Sequence, residues 1–185
     1  MKSIIKCLVV ILVFGINHTV VNADSDLYGT ERLFEKQGGR VEVIKFDQGV
    51  KNLTKNQKTD LQETLNAVRK GHVIEKVIIA AWSDKKLPVN SNLSNEDTDL
   101  AAARLESVKT IVQDMFVDID IDAYNLSERA NWFENAFNTD DSKLKSLFKN
   151  DKNAPVDEPT FYSIRKNGGP SKVVLMIKRK KVAKS

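Results

Sequence analysis

Cysteine is all but missing from this chain. Cys7 is the single one among 185 residues, which excludes a disulfide framework and a cysteine-based zinc site. Histidine is nearly as scarce, with only His18 and His72. Neither sign of charge dominates: 29 basic against 25 acidic residues give +4, too small a surplus to argue for nucleic acid. The unbroken apolar run at 7–14 falls well short of the roughly 20 residues that cross a bilayer. Aromatic residues make up only 7% of the chain, and no internal repeat is visible. What is present is a 41% hydrophobic share. That is enough to build a core, and it excludes wholesale disorder.

The first 23 residues read as a secretory signal peptide. Lys2 and Lys6 form a basic start, the apolar run follows, and Val21-Asn22-Ala23 supplies the small-residue cleavage site. Cys7 opens the apolar run rather than ending it, so no lipid anchor is expected. Cleavage after Ala23 removes Lys2, Lys6, Cys7 and His18, leaving His72 as the one histidine of the exported chain. No multi-histidine metal site can then form, and a Ser-His-Asp triad would depend on His72, beside Gly71 at a predicted helix end. We therefore expect no enzyme, no metal and no cofactor.

Residues 24–39 are a polar N-terminal extension ending in Gly38-Gly39. Alternation at 40–46 predicts a strand, and Asp47-Gln48-Gly49 turns the chain. Thr54-Lys55-Asn56-Gln57 has the capping-box pattern, and Leu61, Leu65 and Val68 then recur at helical spacing. The continuous apolar run at 77–82 predicts a strand buried on both faces. A polar loop follows over 83–97. The stripe Leu100, Val108, Ile111, Val112 and Met115 predicts a helix capped by Asp97 or Thr98. Alternation at 117–123 predicts a third strand, short helices are expected over 128–137 and 142–148, and 149–170 reads as loop. Residues 172–178 close as a strand, before a basic tail at 182–185. The class is α/β: a mixed sheet with helices packed on it.

The stretch 82–108 carries the candidate chemistry. Asp84 lies just past the end of a buried strand, and Arg104 lies on the helix that follows. If the helix start folds back over the strand end, a carboxylate, a guanidinium and free helix N–H groups can face one pocket. Such a pocket suits a zwitterion, its carboxylate held by Arg104 and its ammonium by Asp84. Empty, the two side chains would pair with each other. On this reading Arg104→Ala removes binding and spares the fold.

These residues resemble the OmpA-like, peptidoglycan-binding domain of Gram-negative envelope proteins. The resemblance lies in Phe46-Asp47, Trp82-Ser83-Asp84 and the helix pattern Asp97-x-x-Leu100-Ala101-x-x-Arg104-Leu105-x-x-Val108, and it spans residues 40–181. It implies a β-α-β-α-β-(α)-β sandwich in the periplasm, associated with the outer membrane through partners. It implies non-covalent, non-catalytic binding of peptidoglycan through the diaminopimelate of the peptide stem. Asp84 and Arg104 would hold the ligand's amine and carboxylate, and the backbone N–H groups of Ser83 and Asp97 would support them.

The chain departs from the family at four places. The loop from Asp84 to Asp97 is longer and lacks the customary glycine, Asp97 stands for an Asn, Asn125-Leu126-Ser127-Glu128 stands for Gly-x-Gly-Glu, and the 130–170 segment is long. These motivate an alternative: a structural component of an envelope complex, such as a secretion-system outer-membrane complex, with weak or no wall binding. Three other patches read as structural. Asp118, Asp120 and Asp122 are the polar face of a strand, because an EF-hand loop starting there would put Ala123 at its glycine and Arg129 at its glutamate. Trp132, Phe133 and Phe137 read as core. Lys178 to Lys181 reads as a solvated, charged tail after an edge strand, with no interleaved aromatics for nucleic acid.

Overall fold

A computed structural model describes residues 39–70, 72–86, 93–128, 131–137, 139–150 and 154–181. The signal peptide, the extension up to residue 38 and the tail at 182–185 lie outside the described residues. The described elements run β1 (Arg40–Lys45), α1 (Lys55–Arg69), β2 (His72–Ala81), α2 (Asn95–Met115), β3 (Asp120–Asn125), α3 (Asn131–Phe137), α4 (Asp141–Asn150), α5 (Glu158–Asn167) and β4 (Lys172–Lys181). Strand order is β1-β4-β2-β3. β4 pairs antiparallel with both β1 and β2, and β2 pairs parallel with β3, so the sheet is mixed.

The apolar run in β2 sits in the middle of this sheet, and its alternate residues feed two cores. Val77, Ile79 and Ala81 pack with Leu61, Leu65 and Val68 of α1 and Val108, Ile111 and Val112 of α2. Ile78, Ala80 and Trp82 face the other way, onto Phe133, Leu144, Phe161 and Ile164 of α3 to α5. Helices therefore cover both faces, which is why the run has no polar alternation. Each fully buried Val or Ile side chain contributes roughly 1.5–3 kcal/mol relative to exposure.

The capping box at the start of α1 forms as its residues suggest. Thr54 Oγ1 accepts from Gln57 N, and the Gln57 side chain accepts from Thr54 N. The Gln57 amide also donates to Lys45 O at 2.6 Å, tying the helix start to the edge strand β1.

Four expectations need correction. Ser94, not Asp97 or Thr98, caps α2, accepting from Asp97 N; the helix starts one turn earlier, with Asp97 inside its first turn. Arg104 consequently sits on the third turn. The third strand begins at Asp120 rather than 117, because Asp118 takes φ 61 in a turn after Phe116 and leaves Val117 86% exposed. The 149–170 segment is not all loop: α5 occupies Glu158–Asn167, capped by Asp157, with Pro159 in its first turn. Proline there reads as a breaker but suits a helix start, where its missing N–H would have no intrahelical partner. Finally, β2 and β4 extend well beyond their apolar runs, as a two-stranded ribbon pairing His72 with Lys181 and Val73 with Lys180.

Asp120 and Asp122 are the polar face of β3, both paired with Lys76 at 3.1 and 2.7 Å. In the basic strand end, Lys178 pairs with Asp157, and Lys180 with Glu75. Among the described residues, no helix is long and apolar enough to cross a membrane.

Candidate functional site

The candidate site forms where β2 ends, β4 begins and the β1–α1 turn comes close. The ladder runs past the strands themselves: Trp82 N donates to Lys172 O, Ser171 N to Ser83 O, and Phe46 N to Ser171 O. Ser171 is thus joined to both neighbouring chains, and it holds φ 57, a left-handed value rare outside glycine. Gly49 takes φ 72 in the turn closed by Val50 N donating to Asp47 O, a conformation its missing Cβ makes easy.

Helix α2 delivers Arg104 into this junction. Its buried face is Asp97, Leu100, Ala101, Arg104, Val108, Ile111 and Val112, a helical stripe with one guanidinium in it. The side chain has 0% exposure. Nε donates to Val50 O at 2.8 Å, Nη1 to Trp82 O at 3.1 Å, and Nη2 to Asp47 O at 3.1 Å and Asp84 Oδ1 at 2.6 Å. The guanidinium carbon lies 5.0 Å from the centre of the Phe46 ring. One cation therefore fastens the β1–α1 turn to the end of β2.

Asp84 receives three donors. Arg104 Nη2 and Ser171 Oγ bond Oδ1 at 2.6 and 2.7 Å, and Gly49 N bonds Oδ2 at 2.6 Å. Partial burial pushes its pKa up, but the bonds from Ser171, Gly49 and Arg104, with the Arg104 charge, outweigh it and hold the carboxyl below its ordinary value. Its side chain is 15% exposed.

Ser83 and Asp97 are nearby but engaged. Ser83 N donates to Ser127 Oγ at 2.8 Å, and Asp97 N to Ser94 Oγ at 3.2 Å. The Asp97 carboxylate accepts from Lys85 Nζ at 2.9 Å and Ser94 Oγ at 2.7 Å. The Lys85 bond is the main cause of its lowered pKa. Asn125 braces the same corner, donating from Nδ2 to Thr98 O while its Oδ1 accepts from Ser127 N.

The structure thus brings Asp84 and Arg104 into direct contact, with Ser83 and Asp97 beside them. It does not present Arg104 to solvent. The open pocket expected from spacing is filled by backbone carbonyls, because the β1–α1 turn folds over the guanidinium. Sequence reasoning missed Gly49, Lys85, Ser127 and Ser171. Gly49 stood in a recognised turn, but nothing local tied it to residue 84. Ser171 lies 87 positions from Asp84 and carried no signal. A groove of about 290 Å³ between β1 and α1, lined by Glu42, Ile44, Gln57 and Asp60, contains none of the candidate residues.

No family model matches the sequence, and no curated protein matches it. Among solved structures, a MotB-like protein from Desulfovibrio vulgaris is similar, at 14% identity over 85% of this chain and 95% of that chain, with a TM-score of 0.40. A likeness at that level says nothing about function.

Proposed function

We propose that this chain is a non-catalytic, OmpA-like module that binds peptidoglycan in the periplasm through the diaminopimelate of the peptide stem. The observation that carries the reading is Asp84: an aspartate kept ionised by three donors at the end of a buried strand, with a side chain that is 15% exposed. An anion fixed in this way suits a ligand ammonium. The motif resemblance supplies the ligand, and Arg104 would supply the charge that holds Asp84 in place.

A second reading has its own support. Arg104 is wholly enclosed and spends its donors on protein oxygens, as expected of a structural clamp. The chain would then be a structural component of an envelope complex, with its wall site closed.

Purified sacculi separate the two. Wild-type protein is incubated with sacculi whose stems carry diaminopimelate and with sacculi whose stems carry lysine. Wall binding predicts retention on the first, release by free diaminopimelate, and little retention on the second. Absence from both pellets, with partner proteins co-purifying from envelopes, would establish the structural reading.

A further inference from the structure

We propose that Lys85, rather than Arg104, meets the carboxylate of a bound zwitterion, while Asp84 takes its ammonium and Asp97 holds Lys85 over the mouth of the site. This deepens the wall-binding reading and rests on it.

Access decides between the two cations. Arg104 is enclosed, and to make a parallel two-bond contact with a ligand it would have to abandon backbone carbonyls. The Val50 and Trp82 carbonyls would then lose the donor that Arg104 supplies, which is costly where they are shielded from water. Lys85 has the opposite character: its side chain is 64% exposed. An ammonium carries three donors, and Asp97 Oδ2 occupies one of Lys85's at 2.9 Å.

Asp84 has acceptor capacity left at Oδ2. A carboxylate offers about four acceptor positions, and Asp84 Oδ1 takes two bonds while Oδ2 takes only one, from Gly49 N. Asp84 and Lys85 are adjacent, their Cα atoms about 3.8 Å apart across a trans peptide. An amino-acid head group bears its ammonium and carboxylate on one carbon, and in the proposal that one head group bridges the two side chains. Charge agrees. Arg104 balances Asp84 and Lys85 balances Asp97, so the site is neutral before and after a zwitterion enters. The acid at 97, a departure from the OmpA-like pattern, gains a role as the Lys85 tether.

The test measures full-length mature protein on the two sacculus types, as wild type, Lys85→Ala and Lys85→Arg. Lys85 is a surface residue, so the variants keep the fold, which circular dichroism verifies. Lys85→Ala should bind diaminopimelate sacculi about tenfold more weakly, the loss of one charge-assisted contact. It should also lose the preference over lysine sacculi, because the missing contact is to the carboxylate that lysine lacks. Lys85→Arg should restore both. If wild type discriminates between the walls and Lys85→Ala discriminates equally well, the assignment of Lys85 is wrong while wall binding stands. If wild type binds neither wall, both ideas fall together.

Discussion

Arg104 Nη2 and Asp84 Oδ1 lie 2.6 Å apart, joining the third turn of α2 to the end of β2 across 20 positions of sequence. The contact is one of four that the same guanidinium makes, and the other three are to main-chain carbonyls. Stability at this corner is therefore concentrated in a single side chain.

Removing that side chain should be severe. Arg104→Ala leaves Asp84 without its counter-ion, removes the side-chain donor of the Val50 and Trp82 carbonyls, and leaves Asp47 O with only its turn bond from Val50 N. Breaking a buried charge pair from one side costs about 3–5 kcal/mol. Urea denaturation should show a loss of that order, or no folded protein at all. A loss under about 1 kcal/mol, the scale of a surface pair, would mean that the guanidinium is not the clamp described. With Arg104 enclosed, its removal is expected to cost stability as well as any binding.

Acid should loosen the same corner. Asp84 has a folded-state pKa below its ordinary 3.8, and an aspartate with that direction of shift stabilises the fold once ionised. Its contribution is fully present above about pH 5 and is lost as pH falls through the folded-state value. Asp97 and Asp157 are shifted the same way and add to the acid limb. Unfolding free energy measured from pH 7 to pH 2 should be level at first and then decline below about pH 4. Asp84→Asn should be less stable at pH 7 and show a shallower decline. An unchanged slope in that variant would remove Asp84 from the account.

Gly168 offers a steric test near the site. A Cβ there would lie 2.1 Å from Trp82 Cη2 and 2.6 Å from Ile164 O, closer than atoms can approach. Gly168→Ala should therefore cost about 1–3 kcal/mol, the usual range for overpacking, seen as a lowered thermal midpoint. Shrinking the ring with Trp82→Leu should cost less in the Gly168→Ala background than alone, a coupling that a double-mutant cycle detects. Additive effects would show that the clash is relieved elsewhere.

Local pattern made much of the fold legible. The capping box at Thr54, the apolar run of β2 and the stripe of α2 are each written within a few adjacent residues, so spacing alone reveals them. The boundaries that failed depended on competition between neighbours. Ser94 and Asp97 could each open α2, and Pro159 could either end a loop or begin a helix. Of the site, Asp84 and Arg104 could be picked out because both are charged and flank one strand–helix connection. Lys85 was as visible as either, but nothing in its surroundings showed that it would be the exposed cation.

By itself, the sequence determined which segments become strands and helices and which side chains can carry charge, because those properties are local. It also brought Asp84 and Arg104 near one another, through the short path from β2 to α2. Only the tertiary structure decided that Arg104 is sealed beneath the β1–α1 turn, that Ser171 and Gly49 complete the coordination of Asp84, and that Lys85 remains outside. Those outcomes depend on segments far apart in the chain meeting at one end of the sheet's inner strands. Whether a guanidinium there faces water or carbonyl oxygens is set by which backbone folds over it.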